Sequence, residues 1–242
     1  MNRFGVSTNC RMADCLADVL EDFSLITNLV EIQCDANHSL FSHADICDSF
    51  DLRYTIHAPT GDGNIAIPFE PMRQASLEVL RETAVLGDRI GAEKLVIHPG
   101  FCLIDSDRPA AGDALSRSII EIGKMQQDFS IKFVIENLGS WTCCYFQTPD
   151  LLEEIRSSGL GFALDVGHAH LTGTLFEFLD RQPDHFHLHD NHGTGDEHLA
   201  CGTGSIDFSK VLPRIGSTTA IIEVAKMESV EKSLAYLNGL KK

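Results

Sequence analysis

Six short apolar runs in this 242-residue chain each end on a residue able to bind a divalent metal. Residues 53–56 lead into His57, 94–97 into His98 and 132–135 into Glu136. Residues 161–164 lead into Asp165, 185–186 into His187 and 220–222 into Glu223. All six terminal residues are histidine or carboxylate and none is cysteine. Such donors suit Zn²⁺ or Mn²⁺, with Co²⁺ or Mg²⁺ also possible. Two nearby segments extend the set. In Asp165-Val166-Gly167-His168 a tight turn brings a second imidazole beside the carboxylate. The loop over residues 196–204 carries Asp196 and His198 two apart, with Gly202 and Gly204 free to bend its backbone. The candidates are therefore His57, His98, Glu136, Asp165, His168, His187, Asp196, His198 and Glu223.

Each candidate has an ordinary alternative. A single histidine such as His57 or His98 is usually a hydrogen-bonded core or loop residue; it is their recurrence at strand ends that points to ligation. Glu136 and Glu223 at strand ends fit salt bridges, yet an unpaired buried carboxylate is costly and a cation is its natural remedy. Asp165 suits both ligation and capping of a following helix. His185, His187 and His189 alternate along one strand and so share a face. His38, His43, His170 and His192 are expected to be surface or supporting residues.

Positioning these groups requires strands that end together. Short apolar runs bounded by loop residues read as buried parallel strands. The first lies at residues 4–7, with a helix at 12–23; the second lies at 29–32, with a short polar helix at 43–49. The strand ending at His57 precedes a helix that begins near Glu70 and is ended by Gly91. The strand ending at His98 precedes a helix over 114–129. The strand ending at Glu136 precedes one over 149–157, with Thr148 as cap and Pro149 in the first turn. The strand ending at Asp165 leads to a helix at 174–181, and the strand ending at His187 to a long loop and a short helix through Leu212. The last strand ends at Glu223, and a helix over 229–240 follows. This alternation predicts a single-domain TIM (β/α)₈ barrel over residues 1–242, with the site at the carboxyl ends of the strands. An open doubly wound sheet would bring a glycine-rich turn after the first strand; here that turn reads Ser7-Thr8-Asn9-Cys10.

Composition is that of a globular protein: 43% hydrophobic and 22% charged, with 19 Lys+Arg against 35 Asp+Glu and a net charge of −16. That charge argues against nucleic acid held through phosphate neutralisation. The 8 cysteines are scattered, without paired metal spacing. The start, Met1-Asn2-Arg3-Phe4-Gly5, runs straight into a strand pattern with no signal peptide, and no apolar stretch reaches the ~20 residues a bilayer span needs. The expectation is a cytoplasmic protein with reduced thiols; Cys143-Cys144 reads as loop packing.

The stretches Thr55-Ile56-His57-Ala58-Pro59, Val96-Ile97-His98-Pro99-Gly100, Ile135-Glu136-Asn137, Leu164-Asp165-Val166-Gly167-His168-Ala169 and His187-Leu188-His189-Asp190 resemble the xylose isomerase-like TIM-barrel superfamily. So does the 196–204 loop followed by Ile206-Asp207-Phe208. That group joins sugar isomerases and epimerases with endonuclease IV-type apurinic-site endonucleases. The resemblance implies a shared metal held by Glu136, Asp165, His187 and Glu223. The endonuclease branch implies a second metal at His57 and His98 and a third at His168, Asp196 and His198. Wording around the motifs is closer to small sugar phosphate isomerases and epimerases. The leading expectation is thus a metal-dependent isomerase or epimerase of a small sugar or sugar phosphate. In it Glu136 and Glu223 shuttle a proton, while His168 orients a substrate hydroxyl or carries a second ion. The alternative is a zinc phosphodiesterase of the endonuclease IV type, including a phosphate-ester hydrolase of a small substrate.

Overall fold

The computed structural model describes residues 3–61 and 63–240. The first two residues of the amino-terminal stretch, and the last two of the single domain expected over 1–242, lie outside the described residues. Eight strands close into one barrel: β1 (Gly5–Ser7), β2 (Leu29–Gln33), β3 (Arg53–His57), β4 (Lys94–Ile97), β5 (Lys132–Glu136), β6 (Gly161–Asp165), β7 (His185–Leu188) and β8 (Thr219–Ile222). Each pairs in parallel with the next, and β8 closes on β1 through Gly5↔Ile221 and Val6↔Ile222.

The helices are α1 (Leu16–Ser24), α2 (Leu40–His43), α3 (Glu70–Arg89), α4 (Arg108–Met125), α5 (Leu152–Ser157), α6 (Val166–Leu171), α7 (Leu175–Leu179), α8 (Phe208–Ile215) and α9 (Met227–Gly239). Between strands and helices lies the main core, with Phe23, Phe133, Phe162, Phe178, Phe186 and Phe208 all fully buried. Side chains alternate across each strand, so a second set points into the barrel. There Val96, Val134 and Ala163 form a small apolar plug. Register sets Val96 beside His57 and Ala163 beside both Glu136 and His185, so the polar residues sit in layers on that plug.

Several boundaries differ from the sequence reading. The helix expected over 114–129 starts at Arg108, because Pro109 in its first turn supplies the φ a helix start needs, and it gives way to a 3₁₀ turn at Gln126–Asp128. The second helix is a single turn, α2, continued by a 3₁₀ segment Ala44–Ser49. Thr148 makes no capping hydrogen bond; its hydroxyl goes instead to the Asp150 carboxylate at 2.7 Å. After β6 the sequence predicts one helix, at 174–181, with Asp165 as a candidate cap; the structure has two, α6 starting directly on the Asp165 cap and α7. His38, expected at the surface or in support, is fully buried.

Candidate functional site

The carboxyl ends of the strands carry the nine candidates to one place. His57, Glu136 and Asp165 are the last residues of β3, β5 and β6, His187 lies within β7, and His98 and Glu223 directly follow β4 and β8. His168 comes from the first turns of α6. Asp165 caps that helix, its Oδ1 accepting from His168 N at 2.7 Å. Both roles considered for Asp165 are therefore compatible: one oxygen caps and the other, Oδ2, faces the site.

Asp196 and His198 are held by the loop after β7. Asp190, fully buried, accepts from Gly202 N and Gly204 N through Oδ2 (2.9 Å each) and from Ile206 N through Oδ1 (3.1 Å). A side chain at Gly204 would strike Asp190, and one at Gly202, where φ is +86°, would strike the Tyr236 ring. These glycines let the loop fold back so that Leu199 pairs with Asp190 and His198 is aimed inward.

Four donor groups result among the described residues, each with its ligand atoms within 4.8 Å of one another: His57, His98 and Glu136; Glu136, Asp165, His187 and Glu223; His168, His189, Asp196 and His198; and, deeper in the barrel, Glu31, His185 and His187. Glu136 links the first two. Its Oε2 lies 3.1 Å from His57 Nε2 and 3.0 Å from His98 Nε2, while its Oε1 lies 2.8 Å from His187 Nδ1. His187 Nδ1 is also 3.2 Å from Glu223 Oε2. In the third group Asp196 Oδ2 lies 3.0 Å from His198 Nε2 and 3.5 Å from His168 Nε2.

The rings are fixed from behind. His57, His168 and His198 each donate Nδ1–H to a backbone carbonyl, of Ala58, Asn137 and Glu223 respectively, at 2.9, 3.0 and 2.9 Å. A carbonyl can only accept, so Nδ1 carries hydrogen and Nε2 faces the site. Asn137 clamps the strand ends, its Oδ1 accepting from Asp165 N at 2.8 Å and its Nδ2 donating to Asp165 O at 3.1 Å.

Burial opposes charge on His57, His168 and His198, yet neighbouring carboxylates outweigh it. Glu136 raises His57 to about 9. Asp165 and Asp196 raise His168 to about 10, and Asp196 and Glu223 raise His198 to about 9. Burial likewise pushes Glu136 upward, but His187, His57 and His98 hold it well below the usual carboxylate range. The site is thus a lattice of carboxylates paired with charged His57, His168, His187 and His198, while burial pushes His98 the other way.

That lattice fits divalent ions. Asp165 Oδ2 and Asp196 Oδ1 are buried carboxylate oxygens without a hydrogen-bond partner, one in each of two donor groups. Buried acceptors without partners are costly, and a cation satisfies them. The donor chemistry, imidazole and carboxylate without thiolate, is that of ions with open positions rather than closed structural sites.

Two residues of the site were missed in the sequence. Glu31, on β2, is fully buried below His187, with Oε1 2.8 Å from His187 Nε2. Its Oε2 lies 3.0 Å from His185 Nε2 and accepts from Thr55 at 2.8 Å. A glutamate inside the apolar run Leu29-Val30-Glu31-Ile32 was the available signal. His189, the other, was grouped with His185 and His187 by register alone. Above the donors is a cavity of about 280 Å³, lined also by Gln33, Thr60, Phe101, Trp141 and Cys144. Trp141 stands edge-on to His168. No lysine or arginine is among the described residues lining it.

Residues 42–240 match the model of the xylose isomerase-like TIM barrel family. An uncharacterized protein of Methanocaldococcus jannaschii is 33% identical over 226 residues, covering 90% of each chain. A probable endonuclease 4 of Mycobacterium leprae is 27% identical over 216 residues, 82% of this chain and 83% of its own length. The crystal structure of a D-tagatose 3-epimerase-like protein superposes with a TM-score of 0.88 at 27% identity, covering 99% of this chain and 97% of that one. This chain belongs to the xylose isomerase-like TIM barrel family.

Proposed function

We propose that this protein is a metal-dependent hydrolase of a phosphate ester in a small molecule, using three divalent ions. The observation that carries the reading is the set of three donor groups at the barrel mouth, two of them sharing Glu136. His57, His98 and Glu136 would hold one ion; Glu136, Asp165, His187 and Glu223 the central one; His168, Asp196 and His198 the third. Ions so held supply positive charge against phosphate oxygens and lower the pKa of water. A single-ion isomerase uses only the central set and leaves five oriented donors without a metal.

The cavity lining supports the same choice. A sugar phosphate isomerase needs a separate anchor for its phosphate, usually Arg or Lys, and none lines this cavity among the described residues. A phosphate there is left to the ions themselves. The same lining and the net charge of −16 favour a small substrate over duplex DNA. The chain's residues then divide the work. His57, His98, His168 and His198 present Nε2 toward the phosphate side, and Trp141 and Phe101 flank the entrance and exclude water.

The isomerase reading keeps one observation in its favour: Glu136 and Glu223 both approach His187 Nδ1, so two carboxylates flank one ion position as proton transfer requires. The two readings separate in one experiment. The purified protein is stripped by chelation, reloaded with Zn²⁺ or Mn²⁺, and its ion content counted. It is then assayed on bis(p-nitrophenyl) phosphate and p-nitrophenyl phosphate, on a panel of ketoses and their phosphates, and on a synthetic abasic-site duplex. Two or three ions per chain with ester hydrolysis is the expected result. One ion with sugar turnover would install the isomerase, and cleavage of the duplex alone the endonuclease.

A further inference from the structure

His189 belongs by distance to the third donor group, but its geometry assigns it a different task. Its ring is stacked on that of His198, centroids 3.9 Å apart and planes 10° from parallel. An imidazole lone pair lies in the plane of its ring, so two parallel rings cannot both aim at one ion. Its Nε2 is instead 3.0 Å from Asp165 Oδ1, an acceptor, which places a proton on Nε2 and removes that atom from ligation. Nδ1 is buried and has no hydrogen-bond partner.

We infer that His189 is a positioning residue that fixes the Asp165 carboxylate, so that Asp165 meets the central ion through Oδ2 alone. Oδ1 accepts from two donors, His168 N at 2.7 Å and His189 Nε2 at 3.0 Å. Oδ2 accepts from none and lies 3.8 Å from His187 Nδ1. With Oδ1 saturated, the carboxylate can neither rotate nor chelate through both oxygens. The stack on His198 ties this carboxylate to the third donor group as well, so one ring braces two ion positions.

The motif Asp165-Val166-Gly167-His168 contains the matching adaptation. A Cβ at Gly167 would lie 2.0 Å from His189 Cε1 and 2.4 Å from its Nε2. The His189 ring therefore rests against the bare backbone of α6, and only glycine leaves it room. Gly167 is in the motif to seat His189, and His189 is there to aim Asp165.

The inference rests on the site holding metal, and the test separates the two. Chelator-stripped wild type, H189A, H189Q, G167A and the G167A/H189A double variant are titrated with Zn²⁺ against a chromophoric chelator. Far-UV circular dichroism of the metal-free proteins checks folding. In H189A the affinity of one ion is expected to fall about 10- to 100-fold, the scale for losing a group that orients a ligand. H189Q, which keeps a donor, should recover most of it. G167A should match H189A, and adding G167A to H189A should change little, because the ring it displaces is already gone. Wild-type affinity in H189A, or losses that multiply in the double variant, would overturn the inference. Independently of any variant, ¹⁵N-histidine NMR of the zinc-loaded wild type should show His189 protonated at Nε2; a zinc-coordinated Nε2 would overturn it. A wild type that binds no Zn²⁺ would remove the metal reading itself.

Discussion

Replacing Glu31 by glutamine probes the centre from beneath. Glu31 is sealed from solvent, and burial pushes its carboxyl toward protonation. His187 and His185 beside it more than offset that and hold it ionised. Its Oε1 stands 2.8 Å from His187 Nε2, while His187 Nδ1 is the atom that faces Glu136 and Glu223. The contact is a close ion pair rather than a hydrogen bond, since neither atom has a hydrogen-bond partner. In the proposed metal site it is a carboxylate–histidine–metal relay, in which the anion would raise the basicity of the ligating nitrogen. Glutamine has nearly the same shape, so the loss is the charge. Removing such a partner costs ~10- to 100-fold in metal affinity, or about 1.4–2.7 kcal/mol. The assay is Zn²⁺ competition at pH 7 on the stripped protein. The central ion should weaken by that factor, while the ions of the outer groups, where His57, His168 and His198 lean on backbone carbonyls, should hold. Unchanged central affinity would refute the relay.

Glu136→Gln should leave the metal-free fold intact and remove about two ion equivalents, since both its oxygens serve different groups; activity should fall by at least ~10²-fold, and turnover near that of wild type would sink the assignment. His57→Ala with His98→Ala should cost one ion equivalent by elemental analysis and nearly all ester hydrolysis, with the central ion retained; unchanged ion content would point to the isomerase. The pH dependence follows from His57 at about 9, His168 at about 10 and His198 at about 9. These raised values mean that the stabilising pairs of the metal-free fold are fully present below about 6.5 and are lost as pH rises through 9–10. Ions must displace those protons, so Zn²⁺ uptake at pH 7 should release them and affinity should climb toward pH 9; calorimetry in buffers of different ionisation heat counts them, and no release would refute the pairing. Arg73, buried between α3 and α4 against Glu70, Glu121 and Ser118, should when changed to alanine lower stability by about 1–3 kcal/mol in denaturant unfolding with metal affinity unchanged.

How much was legible in the sequence follows from which forces act locally. Parallel strands buried on both faces are written as unbroken apolar runs, and a barrel ends those runs on its functional face. His57, Glu136, Asp165 and their counterparts could therefore be found by position alone. Helix ends were less legible, because they turn on single interactions. Thr148 had the residue type of a cap, yet its hydroxyl found Asp150; Asp165 was legible as a cap, but the six-residue helix it starts was merged with α7. Glu31 and His189 escaped for a different reason. Glu31 sits in mid-strand and acts across the barrel. His189, although it directly follows β7, is not told apart from His185 and His187 by alternation, and its bond to Asp165 joins two neighbouring strand ends. Residues of this kind become visible only when the barrel closes.

The same closure explains how so acidic a centre folds before it is loaded. Glu31, Glu136, Asp165 and Glu223 converge in a volume sealed from water, where like charges repel strongly and unpaired ones are expensive. Each carboxylate meets at least one histidine: Glu31 meets His185 and His187, Glu136 meets His57, His98 and His187, Asp165 meets His189, and Glu223 shares His187. Of these rings, His57 and His187 are held protonated by the carboxylates beside them, whereas burial pushes His98 and His185 the other way. In the proposed function, loading would replace the protons held on His57, His168 and His198 by divalent ions. Selectivity among metals would then follow from how well each ion replaces the protons it displaces.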